Sequence, residues 1–247
     1  KYFFTSELLN LGDLKKIVQA PINILEDILL QSLRALEYLR NQQLLHLDIK
    51  PQNLMLRKAG TKPQVALIDF GLATFRPPNK PGGTANYMPP EVVARRFPEE
   101  SPTKTWPAPD HRSDLYSLGI TFYYLFTGKR PFEKINELGK IDLKATMLSH
   151  LTDEALAPSS FRKEIPAYLD KILLKLIERN PDNRYPTAAI AAQAIQFRSP
   201  RQRLPESPQT LLAYLPKSGK LIGRYDEQKT LEKICKDIAA GKRHATP

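Results

Sequence analysis

The chain has 247 residues, 41% hydrophobic and 26% charged, enough to bury one core of ordinary domain size and the start of a second. No window holds the roughly 18 consecutive apolar residues of a membrane span, Lys1-Tyr2-Phe3-Phe4 does not read as a signal peptide, and the single Cys235 excludes an internal disulfide or a cysteine-based metal site; a cytoplasmic location is expected. The net charge of +11 would suit nucleic acid, but from Arg198 onward eleven Lys/Arg face five Asp/Glu among Pro200, Pro205, Pro208 and Pro216 with only Tyr214 and Tyr225 as aromatics, too few to interleave the charges, which reads as a solvated basic linker, so no nucleic-acid partner is expected.

In chain order, Tyr2 to Leu9 reads as a strand, and Gly12-Asp13-Leu14 opens a helical pattern. Ile24, Leu25, Ile28, Leu29, Leu33, Leu36 and Leu39 recur at three- and four-residue spacing, which predicts a long amphipathic helix from Ile24 to Asn41. Val65 to Ile68 is a short buried-strand run ending at Asp69. Residues 72 to 113 are rich in Pro and Gly and predict an extended loop with one short helix near Glu91 to Arg96. Further helices are predicted at Leu115 to Phe126, Leu151 to Leu156, Ile165 to Arg179 and Thr187 to Phe197, with a domain boundary after the last. Cys235 shares a helical face with Leu231, Ile234 and Ile238, a position for a buried, reduced thiol.

The chemistry is concentrated in His46-Leu47-Asp48-Ile49-Lys50-Pro51-Gln52-Asn53, followed sixteen residues after Asn53 by Asp69-Phe70-Gly71. Phosphoryl transfer from a nucleotide needs a carboxylate to orient the attacking hydroxyl, a cation near the transferring group and hard oxygen ligands for magnesium. Asp48 suits the first role, Lys50 the second, and Asn53 with Asp69 the third.

These residues resemble the signature of the protein kinase family. The resemblance continues in order through Gly83-Thr84-Ala85-Asn86-Tyr87-Met88-Pro89-Pro90-Glu91, Asp114-Leu115-Tyr116-Ser117-Leu118-Gly119 and Asn180-Pro181-Asp182-Asn183-Arg184. It implies a protein kinase-like α+β fold, of which this chain is mainly the α-helical C-terminal lobe, with ATP and Mg²⁺ as cofactors. It further implies that Glu91 pairs with Arg184 in the interior, that Asp114 holds the backbone of the catalytic loop, and that His46 and Phe70 pack in a hydrophobic spine. Lys50 with Thr84 resembles the serine/threonine class, so a protein Ser/Thr hydroxyl is the implied acceptor. Phe4 to Leu14 resembles the hinge, with Ser6 at the gatekeeper position, backbone groups of Glu7 and Leu9 toward adenine, Asp13 toward the ribose and Met55 beneath the adenine ring.

Several features depart from the family pattern. No Gly-x-Gly-x-x-Gly loop and no Val-Ala-x-Lys strand stand in the sequence, so residues 1–197 are expected to be the C-terminal lobe with its hinge, inactive without an N-terminal lobe. Residues 198–219 then form the linker, and 220–247 begin a second, truncated domain. Within it, Leu221 to Gln228 resembles the opening of an ATPase module found in bacterial multidomain kinases, although no Walker A sequence follows. The flanking lobe and that C-terminal domain are the expected partners within the parent protein. Leu47 replaces the family's usual arginine, and Thr74 is the only hydroxyl between Leu72 and Gly83, which argues against activation by loop phosphorylation. The 23-residue spacing from Glu91 to Asp114 implies an insertion around Glu99 to Pro109. A kinase-like scaffold and a small-molecule phosphotransferase are the alternative readings; the retained Asp48, Lys50, Asn53 and Asp69 favour the enzyme, and the Lys-Pro and Gly-Thr segments favour a protein acceptor.

Overall fold

A computed structural model describes residues 9, 11–59, 62–75, 82–103 and 105–200. The expectations placed on Ser6, Glu7 and Cys235, on the linker beyond Pro200 and on the domain at 220–247 lie outside the described residues.

Six helices and one small sheet make up the described part. Helix α1 (Ile22–Asn41) begins directly after Pro21, and its buried face carries Leu25, Ile28, Leu29, Leu33, Leu36 and Leu39 as the periodicity predicts. Ile24 departs from that stripe, at 39% exposed, because it lies in the first turn outside the contact with the neighbouring helices. The helical pattern expected from Gly12 onward is a short strand, β1 (Gly12–Asp13), and a single 3₁₀ turn at Leu14–Ile17, which Pro21 separates from α1.

Helix α3 (His111–Thr127) is the axis of the lobe: all its residues except His111, Arg112 and Tyr124 are buried. A helix enclosed on every side must satisfy its own polar side chains. Thr121 and Thr127 do so by donating to carbonyls one turn back, and Ser117 donates to the Tyr87 carbonyl at 2.8 Å. A capping box of Asp110 with Ser113 starts α3, and Gly128, at φ +72°, ends it. Gly119 lets α5 (Ala167–Leu176) approach closely, since a Cβ there would lie 2.6 Å from Ile177 Cγ2 and 2.8 Å from Leu176 Cβ. Helix α1 packs on α3 and on α6 (Ala188–Arg198), whose N-terminal turn is held by the Thr187 side chain and by Glu37 of α1, which accepts from Ala189 N at 3.0 Å.

The short helix α2 (Pro90–Arg96) packs on α4 (Leu143–Thr152). The helix expected at Leu151 to Leu156 is therefore displaced toward the N-terminus. Asp142 starts it by accepting from Ala145 N at 2.9 Å, and its buried face is made largely of Thr146, Ser149 and His150, which an apolar pattern does not register. Strands β2 (Leu54–Ala59) and β3 (Lys62–Leu67) pair antiparallel with Leu54 opposite Leu67, and β1 adds to the free edge of β2. Among the described residues no helix is long and apolar enough to cross a membrane.

Candidate active site

The β2–β3 hairpin brings together residues that are distant in sequence. Its register places Asn53, just before Leu54, and Asp69, two residues after Leu67, at the same open end. The Ile68 amide donates to the Asn53 carbonyl at 2.9 Å and closes that end.

His46 fixes the next contact. Its backbone amide and that of Leu47 each donate to one oxygen of the buried Asp114 carboxylate at 2.8 Å. The ring nitrogens have opposite partners: Nε2 faces the Ile68 carbonyl at 3.0 Å, and Nδ1 accepts from the Asp48 amide at 3.3 Å. Only a neutral ring protonated on Nε2 fits both. Burial supports that state by pushing the imidazole down to about 4, against the weaker upward pull of the Ile68 carbonyl and of Asp48 and Asp69. The ring also packs on Phe70, with centroids 5.0 Å apart. Burial similarly raises the Asp114 carboxyl to about 6, although the two backbone donors oppose the rise.

Leu47 adopts φ +62°, a left-handed conformation that costs a branched residue roughly 1–2 kcal/mol. The bond from its amide to Asp114 helps hold it there. The next residue, Asp48, is the centre of a closed polar cluster. Lys50 Nζ donates to Asp48 Oδ2 at 2.6 Å and to Thr84 Oγ1 at 3.0 Å, and Thr84 Oγ1 donates to Asp48 Oδ1 at 2.8 Å. Asn53 Nδ2 adds bonds to the Asp48 carbonyl at 2.8 Å and to Oδ2 at 3.1 Å. Burial by itself would raise the Asp48 carboxyl, but the bonds from Lys50 and Thr84 and the Lys50 charge hold it below the usual carboxylate range. Thr84 reaches the cluster because Gly83, at φ +138°, lets its segment pass close to the His46–Asp48 backbone; a Cβ there would lie 3.3 Å from the Leu47 carbonyl oxygen.

Two hard oxygen donors at this end of the hairpin have acceptor capacity left over among the described residues. Asn53 makes its side-chain bonds through Nδ2, which leaves Oδ1 without a partner among the described residues. Asp69, exposed and itself at φ +60°, accepts among the described residues only from Gly71 N at 3.3 Å. One carboxylate and one amide oxygen suit magnesium, which keeps several waters and completes its shell with phosphate oxygens. Two of the residues expected on the adenine side meet on the sheet: Asp13 is the cross-strand neighbour of Met55, and its carboxylate accepts from Lys15 N at 3.0 Å. Leu9 is half-buried just ahead of them.

Behind the cluster lies the Glu91–Arg184 pair, with side chains 1% and 0% exposed. Arg184 donates to Glu91 Oε1 and Oε2 at 2.9 and 2.7 Å and to the carbonyls of Glu178, Arg112 and Arg179, so all five N–H groups are used. Ser113 donates to Glu91 Oε1 at 2.6 Å, and the guanidinium lies 4.7 Å from the Tyr116 ring centroid. The sequence does not reveal the Ser113 and Tyr116 contributions, although Tyr116 stands in the matched motif and Ser113 immediately precedes it.

Residues 1–196 match the protein kinase domain family. The chain is 32% identical over 185 residues to a probable serine/threonine-protein kinase of Clostridium acetobutylicum, covering 71% of this chain and 25% of that protein. It is 30% identical over 200 residues to serine/threonine-protein kinase PknB of Mycolicibacterium smegmatis, covering 78% and 28%. It is also 32% identical over 177 residues to serine/threonine-protein kinase Pkn1 of Myxococcus xanthus, covering 68% and 23%. The chain thus spans about a quarter of the length of these curated relatives. With the family match running from residue 1 to residue 196, through the hairpin, the Asp48 cluster and the buried pair, the chain belongs to the protein kinase family.

Proposed function

We propose that this chain carries the phosphoryl-transfer centre of a serine/threonine protein kinase, which passes the γ-phosphate of ATP to a Ser or Thr hydroxyl of a protein. The observation that carries this reading is the hydrogen-bonded cluster of Asp48, Lys50, Thr84 and Asn53 at the hairpin end that also carries Asp69. Asp48 Oδ1 already accepts from one aliphatic hydroxyl, that of Thr84, and a substrate Ser or Thr presents the same group.

In the proposed reaction Asp48 accepts the hydrogen bond of the incoming hydroxyl and directs its lone pair at the phosphorus. A carboxyl held below its usual range is a weak base, so it orients first and takes the proton only as the new O–P bond forms and the bond from the γ-phosphorus to the bridging oxygen of ADP, the leaving group, breaks. Lys50, within 2.6 Å of Asp48, keeps a third N–H for the transferring group, where it stabilises developing negative charge. Asn53 Oδ1 and the Asp69 carboxylate would hold Mg²⁺, which when bound neutralises phosphate oxygens. His46 and Asp114 act at one remove by fixing the backbone from which Asp48 projects.

The test is magnesium-dependent transfer of labelled phosphate from ATP to casein by the full-length protein, followed by identification of the modified residue. Asp69→Asn is expected to reduce transfer at least a hundredfold, with label only on Ser and Thr in the wild type. Undiminished transfer by that variant, or label on Tyr alone, would refute the assignment.

A further inference from the structure

The stretch between α2 and α3, where the sequence predicts an insertion, makes contacts that no catalytic role explains. Trp106 and Phe97 pack against a cluster of Met88, Val92, Val93, Ala94, Met147 and Leu151. That cluster joins three parts: the substrate-side segment through Met88, helix α2, and helix α4 through Met147 and Leu151. Ala85, next to Thr84, packs on the same cluster. Trp106 is anchored in turn, since its Nε1 donates to Ser101 Oγ at 2.8 Å and Ser101 Oγ donates to the Thr103 carbonyl at 2.7 Å. On the outside, Lys144 of α4 lies 5.8 Å from the Phe97 ring centroid and pairs with Glu100 at 2.8 Å.

We propose that Trp106 and Phe97 are positioning residues that clamp the Thr84–Glu91 segment onto α4 and so hold it in place for a protein acceptor without a phosphate on the preceding loop. The inference rests on the kinase reading for its functional meaning, but its structural claim stands apart from it. A phosphorylated loop is ordered by new charge-assisted bonds to cationic side chains. Leu47 offers none, being apolar and 7% exposed. Packing then adds to the polar bonds of Thr84 with Lys50 and Asp48, of the Tyr87 carbonyl with Ser117 and of Glu91 with Arg184, and an aromatic side chain suits it, because one indole covers a large apolar area with few rotatable bonds. The exposed Lys144–Glu100 pair contributes little beside it.

The effect is local, and amide hydrogen exchange reads it directly. Tyr87, Met88, Val92 and Val93 donate backbone bonds within the clamped region, whereas the His46 and Leu47 amides are held by Asp114. In this chain Trp106→Ala is expected to speed exchange at the first four amides about tenfold or more and to leave His46 and Leu47 unchanged. Trp106→Phe should recover most of the protection. Ser101→Ala, which removes only the anchor of the indole, should give a smaller acceleration at the same four amides. In the full-length protein Trp106→Ala should raise KM for the acceptor protein about tenfold with KM for ATP unchanged. Unaltered exchange at the four amides, or equal acceleration at His46 and Leu47, would overturn the clamp. A wild-type protein that transfers no phosphate while the exchange pattern holds would instead fault the kinase reading and leave the clamp established.

Discussion

Two charged regions of this lobe use the same kinds of side chain toward opposite ends. Around Glu91 and Arg184 every guanidinium N–H has an acceptor, both side chains are buried, and an aromatic ring covers the pair. Around Asp48 the network stops short: Lys50 keeps one N–H, Asn53 keeps an oxygen, and Asp69 has a single weak donor. Two residues of that corner, Leu47 and Asp69, also adopt left-handed backbone conformations. A network with all valences used holds shape, and one with valences left over at a strained, accessible corner is ready to bind something else.

The sharpest way to break this comparison is to open the closed network. Glu91→Ala or Arg184→Ala leaves one buried charge unpaired and should destabilise the chain by about 3–5 kcal/mol in urea unfolding. The double variant should cost less than the sum of the two, because the second substitution removes the stranded charge. Additive losses would mean that the two residues do not act as a pair.

Next in size is pH. As acidity rises from about pH 6.5, the unfolded chain protonates its histidines, while the native state keeps His46 neutral to about 4 and His150 to about 3, burial being the main cause for each. The unfolded state then binds more protons, so stability falls with falling pH. Asp114 opposes this below about 6, since its native carboxyl protonates before its unfolded one. Two histidines against one carboxyl leave about one proton of difference between pH 6 and 5, or roughly 1 kcal/mol lost per unit, and the lowered carboxyls of Asp48, Asp110 and Asp153 steepen the loss toward pH 4. His150→Gln keeps an acceptor for the Tyr116 hydroxyl without titrating, so it should flatten most of that slope in a pH series of urea midpoints. An unchanged slope would exclude His150 as its source.

Gly119→Ala tests whether the helices behind the buried pair are as tightly fitted as the distances indicate. The added methyl meets Ile177 and Leu176 well inside contact distance. Overpacking of about 1–3 kcal/mol should exceed the helix-propensity gain of about 1 kcal/mol, for a net loss by thermal melting. A stabilised variant would show that α5 yields easily.

The smallest effect is expected at Thr74, whose backbone pairs with Leu45. With Leu47 in place of a cation, Thr74→Ala in the full-length protein should leave transfer within a few fold, about 1 kcal/mol of barrier. A hundredfold loss restored by Thr74→Glu would make the loop a phosphate switch after all.

Much of the corner is legible in the sequence because its chemistry demands fixed residue types: Asp48, Lys50, Asn53 and Asp69 stand out as a set before any fold is known. The reason they meet is less visible. The hairpin that joins Asn53 to Asp69 contains Arg57, Lys58 and Lys62, which blur its alternation. Helix α4 is misplaced by periodicity because Thr146, Ser149 and His150 supply its buried face. Trp106 carries no sequence signal for its role, since the cluster it covers is assembled from three segments that only the fold brings together. Tyr116 is readable as a motif residue but not as part of the Glu91–Arg184 network, and Ser113 carries no signal at all, because their places in that network depend on the pitch of α3.

The central claim is that the Asp48 corner is built for transfer and contributes little to holding the lobe together. Asp48→Asn measured in the full-length protein for both properties tests it most directly. The amide keeps the shape and relieves the burial of one charge, while Lys50, with its side chain 19% exposed, keeps Thr84 Oγ1 and the amide oxygen as acceptors, so the urea midpoint should stay within about 1 kcal/mol of wild type in free energy. Phosphate transfer should fall by about 10²–10⁴. Retained transfer, or a stability loss as large as that of Glu91→Ala, would contradict the account.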